Sequence, residues 1–74
     1  MILVTGATGF VGAHLVRALA ERGEVVRALG RNEAMLQHLA ANYAALIEPL
    51  RADLRDADAI IAACRGAETV FHVG

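Results

Sequence analysis

The spacing of apolar residues alternates along the chain between two patterns, and each switch marks an element. Met1-Ile2-Leu3-Val4 is a continuous apolar run rich in branched side chains, and it leads into Gly6. Such a run predicts a central parallel strand buried on both faces. Over residues 10–22 the spacing becomes helical, with Val11, Leu15, Ala18 and Leu19 on one face and Arg17 and Glu21 off it. Gly23 follows as a helix stop. Residues 25–29 predict a second strand. Asn32 then caps a helix through Met35, Leu36 and Leu39 that ends near Asn42 or Tyr43. Residues 46–51 predict a third strand. Pro49 inside it lacks a ladder donor, which assigns that strand to a sheet edge. Asp56 caps a helix over residues 57–64, Asp58 favours its first turn, and Gly66 stops it. Residues 69–73 predict a fourth strand.

Strands alternating with helices define an α/β class with a parallel sheet. Right-handed crossovers arrange it as a doubly wound sheet of order 3-2-1-4. A ligand crevice is then expected beyond the C-terminal ends of strands 1 and 4, where the winding reverses.

Gly6, Gly9 and Gly12 fall in the turn between the first strand and the first helix. Gly6 permits a tight exit from the strand, Gly9 lets backbone approach a pyrophosphate, and Gly12 permits close helix packing. The helix N-terminus offers free N–H groups and the positive end of its dipole to a phosphate, and Thr8 adds a hydroxyl. The flanking strand and helix raise this loop above a plain glycine-rich turn.

Composition narrows the picture further. The chain has 74 residues and is 57% hydrophobic with a formal net charge of −1, and its mean hydropathy is +0.47. It is composed like the interior of a larger protein, and we expect residues 1–74 to be the N-terminal part of a longer domain. No basic field exists for a nucleic acid backbone. Charges interrupt every apolar stretch before the ~20 residues of a membrane span, and no signal peptide is visible. Cys64, the single cysteine, reads as a small core residue and excludes an internal disulfide. These features suit a cytoplasmic protein. His14, His38 and His72 share no helix face, so no metal site is expected, and His72 reads as a structural imidazole. Arg17, Arg22, Arg55 and Arg65 read as solvated helix-face charges.

The spacing Thr-Gly-x-x-Gly-x-x-Gly over residues 5–12, with Asp53-Leu54 after the third strand and Val70-Phe71-His72-Val73 in the fourth, resembles the extended and atypical short-chain dehydrogenase/reductase superfamily. That group includes sugar-nucleotide epimerases and dehydratases, dihydroflavonol-reductase-like enzymes and 3β-hydroxysteroid-dehydrogenase-like enzymes. The resemblance implies an NAD(P)-binding Rossmann-like fold. It implies that Gly6, Thr8, Gly9, Phe10 and Val11 surround the pyrophosphate and that Asp53 and Leu54 flank the adenine. Val73 and Gly74 would lie near the nicotinamide-side ribose. The plain alternative for Asp53 is a loop acid that caps the next helix.

NAD-specific members hold the ribose hydroxyls with an acid at the end of the second strand. Here Gly30 stands at that position and Arg31 follows. A guanidinium there suits a 2′-phosphate, so NADP(H) is expected over NAD(H).

The superfamily's catalytic Tyr-x-x-x-Lys pair is not in these residues. Tyr43 is the single tyrosine, position 47 is Ile, and no lysine occurs. Tyr43 reads as a packing residue. Three readings follow. The chain belongs to an NAD(P)-dependent oxidoreductase or sugar-nucleotide epimerase/dehydratase; or it is a non-enzymatic dinucleotide-binding regulatory module; or it is a structural half-sheet. The third would form a homo-oligomer or join a complementing chain through its exposed fourth strand.

Overall fold

The computed structural model describes residues 1–73. Its elements run β1 (Ile2–Thr5), α1 (Phe10–Glu21), β2 (Val26–Gly30), α2 (Glu33–Ala40), β3 (Ile47–Arg51), α3 (Ala57–Cys64) and β4 (Thr69–His72). All strand pairs are parallel, and the sheet order is β3-β2-β1-β4. Both the α/β class and the 3-2-1-4 winding are therefore as expected. Pro49 pairs in register with Ala28 of β2, and its missing donor is harmless because β3 is an edge.

The alternation of side chains along β1 and β2 divides the core in two. Val4, Val26 and Ala28 point to one face, where Val16 and Ala20 of α1 and Leu36, Leu39 and Ala40 of α2 cover them. Leu3 and Leu29 point to the other face and meet Ala63 of α3. Helices α2 and α3 also have a side-chain cap as a local start signal. Asn32 Oδ1 accepts from the Met35 amide at 3.0 Å, and Asp56 Oδ1 accepts from the Ala59 amide at 3.1 Å.

Helix α3 spans only 8 residues, shorter than the ~12–15 that an isolated helix needs. Arg27 of β2 secures its end. Arg27 Nη1 donates to the Ala63 carbonyl at 2.7 Å and to the Arg65 carbonyl at 3.0 Å, while Nε donates to Glu48 Oε1 at 2.8 Å. A cation thus serves carbonyls that the last helical turn leaves without partners.

Three expectations need correction. The buried stripe of α1 is Gly12, Val16 and Ala20, whereas Val11 and Ala18 face solvent. A helix so uniformly apolar satisfies the 3.6 period on more than one face. Its rotation is decided by Gly12, where a Cβ would fall on the carbonyl oxygen of Gly6. The same contact places the need for glycine at position 12 on the loop's own backbone rather than on the sheet. Cys64 is exposed, because α3 meets the sheet through Ala63 and Ile60, and residue 64 points away. Finally, β2 begins and ends one residue later than expected, and β4 ends at His72.

Candidate functional site

The turn after β1 is built from exact backbone requirements. Gly6 adopts φ +69°, and a Cβ there would fall on the Val73 carbonyl oxygen. Position 6 therefore excludes a side chain both by conformation and by space. The Ala7 amide donates to the Leu29 carbonyl at 2.9 Å, which ties the loop to β2. The Gly9 amide donates to the Gly6 carbonyl at 3.2 Å, and Ala13 makes the first bond back to Gly9. The amides of Phe10, Val11 and Gly12 precede that first intrahelical bond and are the donors a helix start leaves free.

An open cleft of about 380 Å³ lies over this turn, lined by Gly6, Thr8, Gly9, Leu29, Gly30, Arg31, Ala52, Asp53, Leu54, Arg55 and Val73. The volume falls in the ~300–1,000 Å³ range of small-molecule sites. Seven of the nine residues proposed from sequence meet here. The other two, Phe10 and Val11, do not line it. Their side chains are exposed on α1, Phe10 at 90%, so what they can offer the cleft is backbone. Gly74 lies outside the described residues.

Two guanidiniums and one carboxylate line the cleft. Arg55 clasps Asp53, with Nη2 to Oδ2 at 2.7 Å and the Arg55 amide to Oδ1 at 2.9 Å. These bonds, the side-chain ones foremost, hold the Asp53 carboxyl well below its usual range, and Arg31 adds a smaller attraction. The partner effect raises the Arg55 guanidinium. The Asp53 side chain is 36% exposed and that of Arg55 84%, so the pair adds little to stability. Its effect is to orient the ionised Asp53 carboxylate in the lining of the cleft. Beside it, Arg31, Arg51, Ala52 and Asp53 enclose a smaller recess of about 90 Å³. Arg51 Nε donates to the Arg31 carbonyl at 3.2 Å and braces this corner.

Sequence reasoning missed Arg55, which it had read as a helix-face charge. The Asp53-x-Arg55 spacing in a loop was the available signal. It also missed that Thr8 packs against Gly30. His72 Nδ1 lies 2.7 Å from the Thr5 hydroxyl, a cross-strand bond at the register pair Thr5–His72. Among the described residues, no cluster of three or more metal-ligating side chains forms, and no helix is long and apolar enough to cross a membrane.

A parallel 3-2-1-4 sheet with a glycine turn under a cleft at its C-terminal edge defines a Rossmann-like dinucleotide-binding fold. The profile described as "NAD dependent epimerase/dehydratase family" matches residues 2–74, and the chain belongs to that family. It is 42% identical over 71 residues to a 3 beta-hydroxysteroid dehydrogenase/Delta 5-->4-isomerase of Mycobacterium tuberculosis, covering 96% of this chain and 18% of that protein. It is 42% identical over 77 residues to a dihydroflavonol 4-reductase of Arabidopsis thaliana, covering 97% and 20%. The crystal structure of vestitone reductase from alfalfa superimposes with a TM-score of 0.83 at 29% identity, covering 99% of this chain and 24% of that one. The chain thus spans about a fifth of the length of the curated relatives it matches.

Proposed function

We propose that the cleft holds NADP(H), with the pyrophosphate over the turn of residues 6–9 and the first amides of α1. In this reading Phe10 and Val11 donate from backbone, Leu54 and Asp53 bound the adenine, and Val73 lies toward the nicotinamide-side ribose. Arg31, with Arg51 beside it, takes the 2′-phosphate. The observation that carries the reading is the pairing of Arg31 with a bare Gly30 in one cleft. Arg31 offers the cleft a cation suited to a 2′-phosphate, and no acid stands at the end of β2. Charge-assisted bonds to a phosphate are worth about 1.5–3 kcal/mol, or roughly tenfold or more in affinity. Dissociation constants for NADPH and NADH, taken with the wild-type protein and Arg31→Ala, test this. NADPH is expected to bind about tenfold or more tighter, and Arg31→Ala to remove that preference. Equal constants in the wild type would sink the assignment.

We propose further that the whole protein is an oxidoreductase or an epimerase/dehydratase in which hydride moves between nicotinamide and a substrate carbon. This chain would supply the adenosine and pyrophosphate subsites. Tyr43 is a poor candidate for the acid, since its hydroxyl already donates to Glu21 Oε1 at 3.0 Å. All four residues of β4 are exposed, and β4 is the free edge beside β1. We propose that a further strand, from the same polypeptide or another copy, pairs there.

A further inference from the structure

The loop after β3 holds Asp53 and Arg55 in one arrangement. The Asp56 amide donates to the Asp53 carbonyl at 2.9 Å and closes the turn. Within it the Arg55 amide donates to Asp53 Oδ1 at 2.9 Å and Nη2 to Oδ2 at 2.7 Å. Nε donates to Oδ1 at 3.1 Å and to Oδ2 at 3.2 Å. These N–H groups fill all but one of the roughly four acceptor sites of a carboxylate. Nη2 keeps a second N–H. When a guanidinium meets a carboxylate side by side, its spare N–H and the spare lone pair leave along the same edge of the pair. A donor and an acceptor therefore stand next to each other. Both residues line the cleft, and so does Leu54 between them, whose apolar side chain is exposed. Residues 53–55 thus combine a polar edge with an apolar surface.

Adenine has the complementary edge. Its exocyclic N6 amine donates and the ring nitrogen beside it accepts, the pattern that one Asn or Gln carboxamide can read with its own oxygen and nitrogen. We propose that Asp53 and Arg55 read the adenine edge as a unit, the carboxylate accepting from the N6 amine and the guanidinium donating to an adjacent ring nitrogen. Arg55 is then a cofactor-binding residue and not a solvated charge. The proposal rests on the placement of adenine beside Asp53 and Leu54. It holds for NADP(H) and NAD(H) alike, because the 2′-phosphate is assigned to Arg31. Arg55 also keeps its neighbour a pure acceptor, since its bonds hold the Asp53 carboxyl below the usual range. A base with a carbonyl oxygen in place of the amine would set acceptor against acceptor and is rejected.

The test uses the full-length protein as wild type and Arg55→Ala, with dissociation constants for NADPH and three analogues. One carries hypoxanthine, with oxygen in place of the amine. The other two are deaza forms, with carbon in place of N7 or of N1. The wild type is expected to bind the hypoxanthine form roughly tenfold or more weakly than NADPH, and one of the two deaza forms likewise. Arg55→Ala is expected to bind NADPH roughly tenfold more weakly and to treat that deaza form and NADPH alike. The substitution keeps the backbone bond to Oδ1 and removes a side chain that is 84% exposed, so the melting temperature should stay close to that of the wild type. A deaza penalty that is absent from the wild type, or that survives in full in Arg55→Ala, overturns the inference alone. A wild type that binds the hypoxanthine form as tightly as NADPH overturns the placement of adenine instead.

Discussion

Gly6 and Asp53 show two different demands that single residues meet in the cleft. At Gly6 the demand is steric. A side chain would need a left-handed backbone at φ +69° and would collide with the Val73 carbonyl. Gly6→Ala is expected to destabilise the fold by about 2 kcal/mol or more, read by denaturant unfolding. At Asp53 the demand is electrostatic. The Arg55 bonds favour the ionised carboxylate and hold its folded pKa below the ordinary 3.8. A depressed carboxylate stabilises the fold above its unfolded pKa and loses that contribution as pH falls through the lower folded value. Asp53 should therefore stay ionised through the acid range where free aspartate titrates. In an NMR pH titration, Arg55→Ala should move its midpoint up toward the ordinary value. Tyr43 works in the other sense. Its hydrogen bond to Glu21, helped by burial, raises the phenol above 10.0. That contribution is present below the ordinary value and is lost as pH rises through the folded one. Tyr43 is the one tyrosine of these 74 residues, and its assigned ring resonances follow the titration by NMR. Glu21→Ala should shift its onset to lower pH.

Among the elements, α3 depends most on its neighbours. Ala63 is its one fully buried residue, and Arg27 satisfies its last turn from across the sheet. Arg27→Ala is expected to cost about 1.5–3 kcal/mol, since hydrogen bonds from a charged donor are lost. Hydrogen exchange should rise in α3 before it rises in β1 or β2. Equal rises everywhere would show that Arg27 supports the whole sheet rather than one helix end. Strand β4 is the opposite case. Among the described residues it pairs with β1 alone, and Val70 and Phe71 remain 47% and 40% exposed. If a further strand joins it, amides of β4 should be as protected from exchange in the full-length protein as those of β2. Fast exchange there would exclude such a strand.

At the scale of the whole molecule, the winding order makes the cleft. Reversal of the winding at β1, from β3-β2-β1 to β4 on its other side, puts α1 and α2 on one face and α3 on the other. The loops after β1, β2 and β3 then converge at one edge. Sequence alone was enough for the alternation of elements, both side-chain caps, the edge position of β3 and the glycine turn. Each of these follows from a period or from the backbone limits of a single residue, which are local properties. With the family resemblance it drew nine residues into one list, of which Gly6, Thr8, Gly9, Arg31, Asp53, Leu54 and Val73 line one cleft and Phe10 and Val11 do not. Tertiary structure alone decided which face of α1 is buried, because several faces of that helix are apolar and only the Gly6–Gly12 approach selects one. It decided that Cys64 is exposed, because α3 touches the sheet along a single narrow line. It joined Arg55 to Asp53, and Arg27 to the end of a helix 36 residues away. It also set Thr8 against Gly30, 22 positions later in the chain, a contact that exists only once β2 and the first loop lie side by side.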